Sequence, residues 1–156
     1  MIDYCDADWA GDQIERRSTT GYVFIMQGAA ISWNTRRQPT IALSSTEPEF
    51  MSMVAAIQEA LWLKRFEKEI FPNAEPTVKL FCDNKSAIHL AVNKSYQART
   101  STKHIEVKNY FIREHLINND IELIYKRTDD MTADIFTKIV NSIKLNKFIP
   151  ELGISE

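Results

Sequence analysis

Residues 44–53 begin the longest helical pattern in the chain and place two carboxylates, Glu47 and Glu49, in its first turn. Three hydroxyl residues precede them and can cap a helix, and Pro48 suits an early helical position because its missing N–H would have no intrahelical partner. Apolar residues then recur at i, i+3, i+4 and i+7 until Pro72 ends the pattern. The spacing predicts a long core helix over residues 47–70 that holds its first turn at one end.

Two interpretations of this helix start are open. Thr46 and Glu49 have the spacing of a capping box, in which the glutamate returns a hydrogen bond to the cap residue. Alternatively, Glu47 or Glu49 is a catalytic carboxylate. The local sequence alone favours the capping box, so the remaining chain has to decide between the two roles.

Composition limits the class of protein. With 156 residues, 44% of them hydrophobic, and no linker-like segment, the chain is expected to form a single domain over residues 1–156. A net charge of −2 argues against a passive nucleic-acid coat protein, but not against an enzyme that meets phosphates through metal ions. Because the chain shows neither an apolar run of about 18 residues nor a signal peptide, we expect an intracellular protein without a membrane partner. Cys5 and Cys82 lie in apolar runs and are expected to be buried thiols.

The chain order predicts an α/β fold with the succession βββ-α-β-α-α-β-α. Strand patterns cover residues 2–7, 21–26, 30–34, 76–82 and 121–125, and residues 40–43 are also strand-like. Short connections make the first three strands an antiparallel meander, with Arg36 and Arg37 in the loop that follows it. Further helices are expected over residues 85–93 and 104–117. Asp129 and Asp130 are expected to cap a last helix, whose buried side would be Ile135, Phe136, Ile139, Val140 and Ile143.

Four acids are expected to meet at one edge of the sheet. Asp6 and Asp83 each follow a cysteine at the end of a strand pattern, and they lie side by side if those strands are parallel neighbours. Glu49 and Asp134 can reach the same edge from two helices. Crowded carboxylates repel one another unless a cation neutralises them, and hard oxygen ligands suit Mg²⁺ or Mn²⁺. Two such ions about 4 Å apart form the clamp used in phosphodiester hydrolysis.

Seven motifs in this order resemble one known family. They are YCDADWAGD (4–12), RSTTGYVF (17–24), ISW (31–33), ALSSTEPEF (42–50), CDNKSAI (82–88), TKHIE (102–106) and ADIFTK (133–138). Together they resemble the ribonuclease H domain at the C-terminus of the Pol polyprotein of copia-type LTR retrotransposons. Pro48, Phe50 and Glu106 depart conservatively from that pattern.

The resemblance implies a ribonuclease H-like fold, a five-stranded mixed sheet flanked by helices. It also implies a metal-dependent endoribonuclease that hydrolyses the RNA strand of RNA–DNA hybrids during reverse transcription, with two Mg²⁺ ions for which Mn²⁺ can substitute. The catalytic and metal-binding acids carry over onto Asp6, Glu49, Asp83 and Asp134, which favours Glu49 over Glu47. Implied partners are the hybrid and the reverse transcriptase domain of the same polyprotein, in a cytoplasmic virus-like particle.

Six further residues are candidate contacts to nucleic acid. Arg36, Arg37, Arg99 and Lys103 are basic positions that can meet phosphates, with ordinary solvated charge as the equal alternative. Ser45 and Asn84 adjoin the acids and can hydrogen-bond the backbone or a 2′-hydroxyl.

Two other functions stay open at this level. The chain can be a catalytically inactive or domesticated ribonuclease H-like module that binds nucleic acid, although its four acids are intact. It can also be a transposase or integrase nuclease of the same fold, although a glutamate before a long central helix argues against this. Cellular ribonucleases H carry a histidine in the loop before the last helix, whereas residues 127–131 here contain none.

Overall fold

A five-stranded mixed sheet forms the centre of the computed structural model, which describes residues 1–73, 77–93 and 103–154, apart from the side chains of residues 103 and 104. The strands are β1 (Ile2–Asp8), β2 (Thr19–Met26), β3 (Ala29–Arg37), β4 (Val78–Cys82) and β5 (Ile121–Tyr125). Their order is β3-β2-β1-β4-β5. The first three are antiparallel, whereas β4 pairs in parallel with both β1 and β5. The predicted sheet is thereby confirmed.

Among the described residues, four α-helices accompany the sheet in the predicted order: α1 (Thr46–Ile70), α2 (Lys85–Val92), α3 (Lys103–Ile117) and α4 (Ser142–Phe148). Asparagine side chains cap the N-termini of α2 and α4. Asn84 accepts a hydrogen bond from the Ala87 N–H at 3.0 Å, and Asn141 accepts one from the Lys144 N–H at 2.8 Å. In the part of the chain that the structure describes, no helix has the length and apolar character needed to span a bilayer.

The long helix α1 packs along one face of the sheet. Phe50, Met53 and Ile57 on its inner side are fully buried, and burying a side chain of this size stabilises a fold by roughly 1.5–3 kcal/mol. Ser52 adds a polar tie, since its hydroxyl donates to the Asp6 carbonyl oxygen at 2.6 Å. The start of α1 is therefore fixed against the end of β1.

The capping box does not form at the start of α1. Ser45 occupies the N-cap position without a side-chain cap bond, and Thr46 is already the first helical residue. It is Glu47 that turns back toward the backbone, where its carboxylate accepts the Leu43 N–H at 3.0 Å. Glu49 is thereby available for another role.

The opposite face of the sheet carries 3-10 helical turns over Thr128–Asp130, Thr132–Phe136 and Pro150–Leu152. A second apolar cluster holds them there, formed by Tyr4, Val23, Met131, Ala133 and Leu152. Gly21 permits the close approach of the middle turn, because a Cβ at this position would lie 2.4 Å from Cγ2 of Thr137. The chain around Asp134 is thus pressed against β1 and β2.

The prediction for the last helix is wrong, both in where the helix lies along the chain and in which residues form its buried side. Residues 132–136 form a 3-10 turn, α4 begins only at Ser142, and Ile139 and Ile143 are exposed. The β-branched residues after Phe136 have weak helix propensity, and contacts to the sheet fix the turn instead. The cap prediction for Asp129 and Asp130 is also wrong, because both lie in the first 3-10 turn and Asn141 caps α4.

Two smaller predictions near β3 are wrong as well. Arg36 and Arg37 belong to β3, where they pair with Thr20 and Thr19 of β2, and not to the loop after it. Residues 40–43 do not form a strand. Strand β3 continues beyond its apolar residues because β2 provides hydrogen-bonding partners there. This pairing is a tertiary effect, and the local composition of β3 does not predict it.

Three buried ionisable side chains of the sheet stand out. Cys5 and Cys82 are opposite each other on β1 and β4, and both are fully buried free thiols, as predicted. Asp3, also on β1, is fully buried, and both of its carboxylate oxygens lack a hydrogen-bond partner among the described residues. Burial raises the pKa of Asp3 to about 8, despite the opposing attraction of the N-terminal amino group.

Candidate active site

Asp6 and Asp83 are brought together by the parallel pairing of β1 and β4. Cys5 pairs with Cys82 in that register, so the residue that follows each cysteine emerges at the same edge of the sheet. Asp6 is still within β1 and is 1% exposed, whereas Asp83 comes directly after β4 and is half-buried. The neighbourhood expected from the strand ends is present.

Asp134 completes a cluster of three carboxylates. It is fully buried in the 3-10 turn of residues 132–136. Carboxylate oxygens of Asp6, Asp83 and Asp134 all lie within 4.8 Å of one another. Three acids separated by up to 128 positions in sequence therefore converge on one point at the edge of the sheet.

Glu49 approaches this cluster from the α1 side. One of its carboxylate oxygens, the Cys82 thiol sulfur and an oxygen of Asp83 lie within 4.8 Å of one another. Asp83 thus takes part in both groups and links Glu49 to the other two acids. Glu49 is only 8% exposed, which is unusual for a first-turn glutamate of a surface helix.

The crowding perturbs the acids electrostatically. Burial raises the pKa of Asp6 to about 6, and the Asp134 and Asp83 carboxylates act in the same direction against the attraction of Lys138. Burial, followed by repulsion from Asp6, raises the pKa of Glu49 to about 10. A site that disfavours its own ionised carboxylates in this way is one that a cation would stabilise.

Hydroxyl groups orient two of the acids. Thr137 donates to Oδ2 of Asp6, and Thr128 donates to Oδ2 of Asp83 at 2.5 Å. Such bonds restrict the rotation of a carboxylate and leave its other oxygen available. Thr128 lies in the 3-10 turn of residues 128–130.

Two lysines reach the same acids. Nζ of Lys138 lies 2.8 Å from Oδ1 of Asp134 and 3.4 Å from Oδ2 of Asp6, and Nζ of Lys144 contacts Oδ2 of Asp134. Burial alone would lower the pKa of the Lys138 ammonium, but the Asp6 carboxylate and the hydrogen bond to Asp134 raise it above its usual value. The cluster therefore contains fixed positive charge supplied by the chain.

The donor set fits a hard divalent cation. Oδ1 of Asp6 and Oε2 of Glu49 are buried without a hydrogen-bond partner among the described residues, so the chain itself leaves these two carboxyl oxygens unsatisfied. Carboxylate oxygens in this number are the ligands that Mg²⁺ and Mn²⁺ prefer. Asp6, Glu49, Asp83 and Asp134 are therefore suited to hold such ions.

The candidate nucleic-acid contacts have different surroundings. Ser45 is exposed at the start of α1, close in sequence to Glu49, whereas the Asn84 side-chain oxygen is engaged in capping α2. Arg36 and Arg37 line a cleft of about 400 Å³ between β3 and α1.

Only part of the basic set can be placed. Arg37 is paired with Asp12 at 3.1 Å and with Glu15 at 3.2 Å, which gives it a structural role within the β1–β2 connection and β3. Arg99 lies outside the described residues. Lys103 is the first residue of α3, and its side chain is likewise outside them.

Sequence reasoning missed four residues that contact the acids: Thr128, Thr137, Lys138 and Lys144. Thr137 and Lys138 do carry a signal, because they follow Asp134 within the motif of residues 133–138. Thr128 and Lys144 carry none, since their positions depend on how the 3-10 turn of residues 128–130 and α4 fold back over the sheet edge.

This architecture and acid cluster define the class of the domain. Solved structures with the same fold include LC11-RNase H1 in complex with an RNA/DNA hybrid, with a TM-score of 0.62 and 14% identity over 87% of this chain and 92% of that one. RNase H1 from the halophilic archaeon Halobacterium salinarum gives a TM-score of 0.60 and 13% identity over 94% and 97%. The chain has the ribonuclease H fold.

Sequence relatives give the more particular assignment. The chain is 42% identical over 137 residues to the retrovirus-related Pol polyprotein from transposon TNT 1-94 of Nicotiana tabacum, and 30% identical over 152 residues to that from transposon RE1 of Arabidopsis thaliana. These matches cover 88% and 97% of this chain but a tenth of each relative. No protein-family model matches. The chain is a homologue of one segment of the Pol polyproteins of copia-type retrotransposons, which confirms the family indicated by its motifs.

Proposed function

We propose that this chain is a metal-dependent endoribonuclease that hydrolyses the RNA strand of RNA–DNA hybrids during retrotransposon reverse transcription. The observation that carries the proposal is the convergence of Asp6, Asp83 and Asp134, whose carboxylate oxygens lie within 4.8 Å of one another. Glu49 joins them through Asp83. The ribonuclease H fold and the Pol polyprotein relatives support the same reaction class.

Each acid has a distinct place in the proposal. Asp6 and Asp83 would hold a first ion, Glu49 would share it on the side of α1, and Asp134 would complete a second position. Bound Mg²⁺, or Mn²⁺ in its place, supplies an activated water nucleophile and stabilises charge on the leaving oxygen of the phosphodiester. The products would be a 5′-phosphate and a 3′-hydroxyl.

The chain's own groups prepare the site for this chemistry. Thr137 and Thr128 fix the rotation of Asp6 and Asp83, and Ser52 ties the start of α1 to the backbone of Asp6. Glu49 is thereby positioned relative to the other acids before any substrate arrives, which lowers the reorganisation needed during the reaction. Ser45, exposed four positions before Glu49 in the sequence, is a candidate contact to the RNA strand, where a 2′-hydroxyl distinguishes RNA from DNA.

The biological setting belongs to the same proposal. The natural partner of the domain would be the reverse transcriptase region of the same polyprotein, in the cytoplasmic particle of the element. The hybrid is the substrate that a polymerase copying RNA into DNA leaves behind.

A cleavage assay on a labelled RNA–DNA hybrid tests the function. We expect hydrolysis of the RNA strand with Mg²⁺, none after chelation, and loss of cleavage in the Glu49→Gln variant. Hybrid binding without cleavage at any Mg²⁺ or Mn²⁺ concentration would instead indicate an inactive binding module. Cleavage of duplex DNA without cleavage of the hybrid would indicate a transposase-type nuclease.

A further inference from the structure

Both carboxylate oxygens of Asp134 are contacted by lysines. Nζ of Lys138 lies 2.8 Å from Oδ1, and Nζ of Lys144 contacts Oδ2. Asp134 itself is fully buried. Asp134 would offer the same two oxygens to a metal ion, and a lysine ammonium group already contacts each of them.

We propose that Lys144 is a built-in counter-cation that closes the carboxylate site in the metal-free protein, and that divalent metal binds by displacing its ammonium group from Asp134. The inference rests on the proposed function, because it concerns the metal site of that function. It adds a residue that governs metal affinity without being a metal ligand.

The two lysines differ in how firmly they are held. Lys138 belongs to the same short segment as Asp134, four residues further on, and it also reaches Asp6 at 3.4 Å. Lys144 comes from the separate helix α4, where its Nζ also donates to the carbonyl oxygen of Thr128 at 2.7 Å and lies 5.9 Å from the centre of the Phe148 ring. Lys144 can therefore leave Asp134 by a rotation of its own side chain that does not move the turn of residues 132–136, whereas Lys138 follows that turn directly and is paired with two acids.

Electrostatics supply the competition between lysine and metal. An ammonium and a divalent cation a few ångströms apart repel each other strongly in a partly buried site. Lys144 has a side-chain exposure of 21%, so solvent screens this repulsion only in part. A metal that approaches Oδ2 of Asp134 must either displace the ammonium or tolerate this repulsion, and both weaken its binding.

Without metal, the same ammonium stabilises the fold. Carboxylate oxygens of Asp6, Asp83 and Asp134 lie within 4.8 Å of one another and repel. The positive charge of Lys144, in contact with Asp134, reduces that repulsion. Removal of the Lys144 charge is therefore expected to have opposite effects on the two states. The metal-free protein should lose stability, and the affinity for metal should rise.

The matched control lies one turn further along α4. Lys147 bonds Oδ1 of Asp130 and the carbonyl oxygen of Asp129, and neither residue belongs to the four-acid cluster. Lys147→Gln removes one positive charge from the same helix and breaks one ion pair. It thus controls for net charge and for the docking of α4.

The test is a Mn²⁺ titration followed by electron paramagnetic resonance, in which free Mn²⁺ is observed directly and no substrate is required. We expect Lys144→Gln to bind Mn²⁺ at least about tenfold more tightly than the original chain, and to melt at a lower temperature in EDTA. Lys147→Gln should leave the Mn²⁺ affinity unchanged. Glutamine keeps a hydrogen-bonding group near Thr128, and Lys144→Met provides a second variant should the first fail to fold.

Several results would overturn the inference. Unchanged or weaker Mn²⁺ binding in both Lys144 variants would show that the ammonium does not compete with metal. Tighter Mn²⁺ binding in Lys138→Gln but not in Lys144→Gln would show that metal displaces the ammonium group of Lys138 and not that of Lys144. Failure of the proposed function has a different signature, namely Mn²⁺ binding by the original chain without cleavage of the hybrid, whatever the Lys144 variants do to the Mn²⁺ affinity.

Discussion

Asp3 gives the sharpest test of how burial acts on this fold, because its carboxyl group is fully buried and unpaired within the described chain. Replacement by Asn retains the shape of the side chain but removes its ability to ionise. We expect Asp3→Asn to stabilise the protein at neutral pH and to have little effect at acidic pH.

The magnitude follows from the pKa of Asp3, which is 3.8 as a free side chain and about 8 in the fold. Between these two values the unfolded chain releases the proton and the folded chain keeps it. Stability then falls as pH rises, by about 1.4 kcal/mol per pH unit, and the loss is complete above about pH 8. Asp3 thus costs roughly 4 kcal/mol of stability at pH 7, a cost that Asn does not carry.

Urea unfolding of both proteins at pH 5 and at pH 7 measures the effect. The advantage of Asp3→Asn should grow by about 3 kcal/mol between the two conditions, because they are two pH units apart within the window. Asp129→Asn is the control, since the Asp129 side chain is 81% exposed. Its effect on stability should be small at both pH values.

A constant difference between Asp3→Asn and the original chain across this pH range would refute the reasoning. It would mean that Asp3 ionises in the folded state at an ordinary pKa, through a solvation or pairing that the buried position does not show. A destabilised Asp3→Asn protein at pH 7 would contradict the sign of the argument as well as its size.

Three further predictions concern the acids and the turn that carries Asp134. Glu49→Gln should reduce hybrid cleavage by more than about 100-fold. The Glu47 carboxylate accepts the Leu43 N–H outside the acid cluster, so Glu47→Gln should keep most activity, and equal losses in a cleavage assay would contradict this distinction. Asp83→Asn should abolish cleavage and preserve or raise the melting temperature in EDTA, because one repelling charge is gone; normal cleavage would contradict the assignment of the acids. Gly21→Ala should lower the free energy of unfolding by about 1–3 kcal/mol in urea titrations, since the new methyl group would collide with Thr137, and an unchanged value would show that the turn yields freely.

Much of the fold was accessible from periodicity and from strand ends. The 3.6-residue pattern behind Glu49 gives α1 to within one residue at its start, and the alternating apolar runs give all five strands. The neighbourhood of Asp6 and Asp83 was expected on the condition that β1 and β4 are parallel neighbours, and the observed pairing of these strands meets that condition. The helix and the strands depend on local sequence, whereas the adjacency of β1 and β4 is a property of the folded sheet.

The region after Asp130 could not be predicted in this way. Ile135, Phe136, Ile139 and Val140 have helical spacing, yet the chain forms a 3-10 turn because Thr137 bonds Asp6 and the turn packs against Gly21. Tertiary contacts of this kind override a short local pattern. The approach of Lys144 to Asp134 depends on the same packing and has no local signal.

The distance along the chain between the acids has a consequence for the timing of activity during protein synthesis. The hydrogen bond between Thr137 and Asp6 joins residues 131 positions apart, and Lys144 lies further still toward the C-terminal end. Domains fold as units while a chain emerges from the ribosome, N-terminal parts first. A nascent chain that has reached α3 has three of the four acids but lacks the turn that carries Asp134. The four-acid site would therefore be assembled only as translation of this segment nears its end.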